Sequence, residues 1–473
     1  MESYSLHRNV GLNDSRKVLC HMNTNTILHG KRVATLTLGC KVNQYETEGM
    51  RELLEAAGCQ FVAFEEEADI YLVNTCSVTN IAERKSRQML HKAKKRNPEA
   101  IVVAAGCYVQ TVPQEVIDDL AVDLVIGNNH KKEIVEILDN YYKSEDRACE
   151  CWNPTEEHTE YENMRVTHRT ERVRAYVKIQ DGCNQFCSYC IIPYVRGRIR
   201  SRQIPDVVTE VETLAEEGCK EIVLTGIHIS SYGKDWDEAS LHSSDLDGTQ
   251  LIALIDRLCR IEGIARIRLG SLEPRIMTTS FMEALASYPK VCPHFHLSLQ
   301  SACNETLRRM NRKYTIEEYK ECCDRLRQVY DRPAITTDVI VGFPGETEEE
   351  FTETVKNLET LQLYEIHVFK YSSRRGTVAE KLDGQVSPEE KNRRSDILLA
   401  LTARQKQAFE ESFVGEEVEV LIEEENESDN PSEEKGLSYV GHTERYIRIE
   451  IPERTFEPGD WVNCIVKVKY YSG

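Results

Sequence analysis

Residues 181–190 read Asp181-Gly182-Cys183-Asn184-Gln185-Phe186-Cys187-Ser188-Tyr189-Cys190. Three cysteines stand there at C-x3-C-x2-C spacing, at positions 183, 187 and 190. Thiolate sulfur is the ligand that holds iron–sulfur clusters, and cysteines this close in one loop can wrap a single cubane. Three ligands on four irons leave one iron open to chelate a small molecule through an amine and a carboxylate. A zinc loop or plain core cysteines are the alternatives. Zinc takes a fourth ligand, and no Cys or His follows at zinc-finger spacing.

Working towards the C-terminus, residues 176–179 read as a strand that feeds this loop. Further apolar, β-rich runs fall at 222–224, 267–269, 294–299, 337–341 and 366–369. Helical patterns lie between them at 207–217, 251–261, 281–287, 316–329 and 349–361. These make six β/α units, where a closed TIM barrel needs eight, so an open partial (β/α)6 barrel is expected. Its site belongs at the carboxyl ends of the strands. Small or polar residues stand at those ends, among them Gly226, His228, Ser271, Glu273 and Gly342. His294, His296 and His367 read as core or strand residues rather than ligands.

Towards the N-terminus, strand patterns at 33–38, 70–73, 101–104 and 124–126 alternate with helical ones at 45–57, 81–95 and 131–142. This predicts a doubly wound α/β domain with a parallel sheet. Cys40, Cys76 and Cys107 each end one of its first three strands. Ligands collect outside the carboxyl ends of such strands, so the three thiolates should meet at one rim. Gly39 and Gly106 would let the backbone approach a bulky ligand. Three unrelated buried cysteines are the alternative.

The C-x3-C-x2-C loop resembles the radical S-adenosylmethionine (SAM) superfamily, whose open iron binds SAM and whose reduced cluster cleaves it to a 5′-deoxyadenosyl radical. Residues 183–202, CNQFCSYCIIPYVRGRIRSR, are similar to the methylthiotransferases within it, as are Leu38-Gly39-Cys40-Lys41-Val42-Asn43, Asn74-Thr75-Cys76-Ser77 and Gly106-Cys107-Tyr108. The resemblance implies two [4Fe–4S] clusters. Cys183, Cys187 and Cys190 would hold the one that binds SAM, and Cys40, Cys76 and Cys107 an auxiliary one that carries the inserted sulfur. It places Tyr189 near the adenine of SAM and has Gly226, Ser271, Val341 and Gly342 line SAM. Within the family the motifs look most like the branch acting on N6-threonylcarbamoyladenosine at position 37 of tRNA, which becomes its 2-methylthio derivative. Branches acting on isopentenyladenosine in tRNA or on a ribosomal-protein aspartate stay open, as does a non-catalytic iron–sulfur RNA-binding protein. The resemblance also implies an electron donor and a sulfur source as partners.

With 473 residues, 40% of them hydrophobic, two or three cores are expected. The expected division is an N-terminal extension to residue 30, the α/β domain over 31–143, a linker over 144–170 holding Cys149 and Cys151, the barrel over 171–400, and a last domain over 410–473. Short alternating strands in that last stretch read as a small antiparallel barrel, similar to the OB-like TRAM domain of RNA-modifying enzymes. No apolar run suits a membrane span or a secretory signal, and 17 cysteines then argue for a reducing cytosol. A formal net charge of −20 speaks against nucleic acid, but RNA reads local patches. Basic runs lie at 84–96 and 196–202, and Arg196, Arg198, Arg445 and Lys467 are the expected RNA contacts.

Overall fold

The structure, a computed structural model, describes residues 26–144, 149–151, 155, 160–167, 173–427, 437–452 and 462–471. Six strands open it: β1 (Arg32–Thr37), β2 (Gln60–Val62), β3 (Ile70–Thr75), β4 (Ile101–Gly106), β5 (Leu124–Ile126) and β6 (Cys149–Cys151). They form one parallel sheet in the order β2-β1-β3-β4-β5-β6. Alternate strand residues face opposite ways, so both faces need cover. Helices α1 (Lys41–Ala56) and, further along, Ile134–Lys143 pack on Leu72, Val103 and Ile126. On the other face, α2 (Asn80–Arg96) and α3 (Cys107–Thr111) pack on Val73, Val102 and Ala104.

Two boundaries differ from expectation. Leu28, placed in the extension, is fully buried in the first core, and Thr26 and the Ile27 amide both donate to Asp139. Cys149 and Cys151, placed in the linker, are the ends of β6, paired with Leu124 and Ile126. Both segments are too short to show a period; contacts more than a hundred residues away, or with an existing sheet edge, order them.

The barrel strands are β7 (Arg174–Asp181), β9 (Glu221–Gly226), β10 (Arg266–Leu269), β11 (His294–His296), β12 (Ala334–Val341) and β13 (Glu365–Lys370); β8 (Arg200–Ser201) pairs antiparallel to β7. Parallel ladders join β7-β9-β10 and β11-β12-β13, and bridges Ile267↔Val291 and Leu272↔Leu297 link the two. Ile222, Leu224, Ile267, Leu269, Phe295 and Val339 turn outward into the core beneath the helices. By alternation Glu221, Arg268, His294, His296, Asp338 and His367 turn into the barrel, whose lumen is therefore polar. The open side of this half-ring is met by α1 of the first domain, which packs on β7 and β9.

Helix Pro388–Glu411 leads to β14 (Glu417–Glu427), β15 (Leu437–Thr443), β16 (Arg448–Pro452) and β17 (Ile465–Lys469). These pair antiparallel in the order β16-β15-β14-β17. Among the described residues β16 and β17 are free edges, so the expected small barrel is a half-barrel. Its β15–β16 turn plugs the base of the central barrel. Tyr446, at φ +69, stacks on His442 with ring centroids 4.6 Å apart, and the Arg174 and Arg268 guanidinium groups lie 4.8 and 4.9 Å from its ring centroid. Arg266 donates to the carbonyls of His442 and Glu419, and Arg268 to those of Glu444 and Thr443. Among the described residues no helix is long and apolar enough to cross a membrane.

Tyr446→Ala should therefore lower stability by about 2–4 kcal/mol in urea titration, from the lost ring and its cation–π contacts. A loss below about 0.5 kcal/mol, the size of an ordinary surface substitution, would show that the turn only rests on the barrel.

Candidate active site between two cysteine triads

The first triad sits where adjacent parallel strands end. Cys40 is the N-cap of α1, Cys76 follows β3, and Cys107 opens α3 directly after β4. Because β1, β3 and β4 are neighbours, the three sulfurs share one rim and feel one another's charge. Gly39, at φ +102, is obligatory: a Cβ there would lie 2.7 Å from Cys76 Sγ. Gly106, at φ +96, would drive a Cβ to 2.4 Å from Asn74 Oδ1. Asn43 Nδ2 donates to the carbonyls of Leu38 and Thr75, which clamps the two loops together.

The second triad lies beyond the end of β7. Gln180 Nε2 donates to the carbonyls of Asp181 and Gly182, both at 2.7 Å, while its Oε1 accepts the His228 amide at 2.6 Å. The Cys183 amide donates to Gly197 O, and the Gln185 amide to Cys183 Sγ at 3.4 Å. Arg312 Nη1 donates to Cys187 Sγ at 3.3 Å. Glu273 bonds His228 at 2.8 Å and pairs with Arg275; burial would raise its pKa, but those partners hold it near 2.

Burial pushes the Cys76 thiol up to about 11 and the Cys190 thiol up to about 12, so metal must displace their protons. Among the described residues only His296, Asp338 and His367 bring three ligand atoms within 4.8 Å of one another. Both cysteine triads are set wider than a single tetrahedral ion would draw them. A cubane spreads its thiolates over separate corners, and N–H donors aimed at the sulfurs favour the bound, anionic state. Both triads fit iron–sulfur clusters on these grounds.

A buried ionic network joins the two triads. Arg196 Nε donates to Cys107 Sγ at 3.3 Å, while its Nη atoms reach Glu46, Asp181 and Asn43 Oδ1 at 2.7–3.1 Å. Glu46 also bonds Lys131 at 2.6 Å and Lys178 at 2.7 Å, and Lys178 bonds Asp181 at 2.6 Å. Burial alone would raise the Glu46 carboxyl; Arg196, Lys131 and Lys178 outweigh it and hold the pKa well below its usual 4.5.

Several expected site residues stand elsewhere than supposed. Arg196 is fully buried in this network and has no face to offer RNA. Val341 turns outward into the core, and its carbonyl accepts the Tyr371 amide, so its side chain lines no SAM site. Gly342, at φ +70, passes so close to the following long helix that a Cβ would meet Lys391 Cγ at 2.3 Å. Its amide donates to Glu346, so this glycine serves a turn. Arg445 donates to the carbonyls of Asp331 and Arg332, which makes it a brace between domains. Lys467 is exposed beside Glu417 and Glu419, which dilutes its charge. Tyr189 packs edge-on to Phe343 at 6.4 Å, Gly226 lies against Gln180 O, and Ser271 is exposed. Arg198 is exposed over the Phe186 ring at 4.4 Å. Sequence reasoning placed Glu273 at a strand end without a role, and missed Glu46, Lys178, Gln180 and Arg312. Lys178, an ammonium inside an otherwise apolar strand run, was the one signal available.

Residues 177–358 match the Radical SAM superfamily, and residues 32–127 match a family described as Uncharacterized protein family UPF0004. The threonylcarbamoyladenosine tRNA methylthiotransferase MtaB of Bacillus subtilis is 38% identical over 92% of this chain and 93% of its own length. The protein of that name from Aquifex aeolicus is 42% identical over 84% of this chain and 93% of its own. The chain belongs to the radical SAM methylthiotransferase family. It is accordingly an enzyme, and its family implies SAM and a [4Fe–4S] cluster. A tRNA-2-methylthio-N(6)-dimethylallyladenosine synthase from Acetivibrio thermocellus is 36% identical over 82% of this chain and 79% of its own. Among solved structures, the radical SAM methyltransferase TsrM from Kitasatospora setae shares the fold, with TM-score 0.53 and 16% identity over 72% of this chain and 75% of its own.

Glu46→Gln should cost about 3–5 kcal/mol, because it leaves buried cations short of a counter-ion. The folded Glu46 pKa is depressed, so its contribution is complete above pH 4.5 and fades as pH falls below that value. Urea titrations from pH 7 down to about pH 3 should show wild type losing stability at the acid end and the variant flattening that loss. Parallel curves would place the acid sensitivity elsewhere.

Proposed function

We propose that the enzyme adds a methylthio group to C2 of N6-threonylcarbamoyladenosine at position 37 of tRNA, using two [4Fe–4S] clusters. The observation that carries this is Arg196, which touches the Cys107 sulfur of one triad while tying the strand that feeds the other. Two triads on one site suit a reaction in which one centre activates carbon and the other delivers sulfur. The printed names of the relatives support the substrate. SAM at the Cys183–Cys187–Cys190 centre supplies radical chemistry for a C–H bond that no side-chain base could open at neutral pH.

The chain's own residues do the positioning. Gln180 fixes the Cys183 loop, Arg312 and the Gln185 amide stabilise its sulfurs, and the Gly39 and Gly106 turns leave Cys40 exposed towards its partners. Position 37 lies in a single-stranded loop, so the base can be turned into the site without melting a duplex. For the RNA backbone, α2 begins four residues past Cys76 and carries exposed Arg84, Lys85, Arg87, Lys92 and Lys95. Arg198 and the exposed Tyr194 flank the Cys183 loop. These surfaces replace Arg196 and Arg445 as the RNA contacts. An electron donor and a sulfur source complete the reaction.

Nucleoside analysis of tRNA treated with the reconstituted enzyme tests the reaction; a 2-methylthio product only on dimethylallyl-type adenosine would favour the second group of relatives. Reconstituted wild type should hold about eight irons and the Cys183→Ala/Cys187→Ala/Cys190→Ala variant about half. The Cys40→Ala/Cys76→Ala/Cys107→Ala variant should still cleave SAM yet yield no methylthio product. A wild-type content near four irons would refute the second cluster. Reversing Arg84, Lys85 and Arg87 to Glu should weaken tRNA binding at least about ten-fold at low salt and flatten its salt dependence. An unchanged slope would move the RNA off this helix.

A further inference from the structure

Above the Tyr446 plug the lumen carries four cations near one another: Lys41, Arg174, Arg266 and Arg268. Three are matched. Arg174 bonds Glu423 at 2.8 Å, Arg268 bonds Glu221 at 2.7 and 3.2 Å, and Arg266 donates to two carbonyls of the C-terminal sheet. Lys41 forms no ion pair with a carboxylate among the described residues, although Glu221 attracts it from further off; its ammonium lies 5.7 Å from the Tyr176 ring centroid and is reached by solvent. It is also the first residue of α1, whose N-terminus has neither a side-chain cap nor an acidic residue in its first turn, so the local potential is positive. His294, within electrostatic reach of Lys41 as well as of His296 and His367, links it to a polar rung. His296 Nε2 is 3.3 Å from Asp338 Oδ2, and the His296 and His367 rings stack with centroids 5.7 Å apart. His294 Nδ1 is buried without a partner among the described residues. His296, Asp338 and His367 could close on a metal ion, but a cation would enter a lumen that already holds an unmatched ammonium. An anion with further hydrogen-bonding groups satisfies both.

We propose that Lys41, with the His296–Asp338–His367 rung that His294 links to it, is the subsite that takes the carboxylate and hydroxyl of the substituent on N6 of the target adenosine. This rests on the threonylcarbamoyl reading above. Lys41 follows Cys40, whose exposed thiol faces the first rim. C2 and N6 flank N1 on one edge of adenine, so a base presenting C2 to that rim holds its N6 substituent a few ångströms away. A carboxylate there gains a charge-assisted bond to the ammonium, and the threonine hydroxyl meets the imidazole and carboxylate groups of the rung. An isopentenyl tail would strip water from Lys41 and return nothing, which sets specificity by penalty as well as by attraction.

The test is equilibrium binding of two anticodon stem-loop RNAs, alike except for N6-threonylcarbamoyladenosine or adenosine at position 37, to anaerobically reconstituted protein. Wild type should prefer the modified RNA by about ten- to a hundred-fold, the range of one charge-assisted bond. Lys41→Met should cut that preference to about three-fold or less, and Lys41→Arg should keep most of it. Lys41→Met with wild-type iron content and an undiminished preference overturns the subsite. Because Lys41 adjoins a cluster ligand, His367→Phe, on a strand with no cluster cysteine, is the second variant. It should lower the preference by a smaller factor, and an unchanged value likewise overturns the proposal. A wild type that shows no preference, or that methylthiolates only isopentenyl RNA, would instead refute the substrate reading beneath it.

Discussion

One buried guanidinium holds the functional half of this molecule in register. Arg196 reaches from the barrel to Glu46 of α1, to Asp181 at the end of β7, and to the sulfur of Cys107. Buried ion pairs contribute little net stability against an apolar alternative, yet they are intolerant of misalignment, because a displaced partner leaves a naked charge in low dielectric. An apolar interface could slide by a residue; this one cannot. The relative placement of the two triads follows from that intolerance. Cations also crowd the spot: Lys131, Lys178, Arg196 and Arg200 face Glu46 and Asp181, with Glu162 nearby. Such a surround lowers the cost of thiolates and of an anionic cluster beside it.

The central barrel is unusual in having a polar lumen open at one side, and each opening is managed by another domain. Helix α1 packs on β7 and β9, and the β15–β16 turn fills the base with Tyr446. The arginines that would otherwise point into an empty lumen are thereby spent on carbonyls and carboxylates of the C-terminal sheet. What remains uncommitted is the part of the lumen that Lys41 faces. The half-barrel at the C-terminus thus acts first as a stopper, and its basic residues are partly consumed in that task.

Much of this was legible from residue order because it obeys local rules. Period-two and helical patterns marked the α/β domain and the six barrel units, since burial on one or both faces dictates those patterns. The six cysteines were marked by spacing in one case and by position at strand ends in the other. Gly39 and Gly106 were assigned a close backbone approach to a ligand; the structure gives both a positive φ and sets them close against Cys76 and against Asn74 and Thr75. The failures share a cause. Arg196, Arg445 and Lys467 were judged by charge alone, and charge in sequence does not say which way a side chain turns. Val341 and Gly342 were placed by resemblance to the family, and the parity of β12 turns the Val341 side chain outward.

The sequence by itself determined the class of each domain, the grouping of six cysteines into two triads and the family, because these depend on periodicity and on residue types at fixed spacing. Only the tertiary structure decided which charges are partners. Glu46 and Arg196 are separated by 150 residues, so no local pattern couples them. Whether a lysine is a solvated surface charge, half of a buried pair or an unmatched cation in a lumen is set by what the fold brings within a few ångströms of it. That is a property of packing.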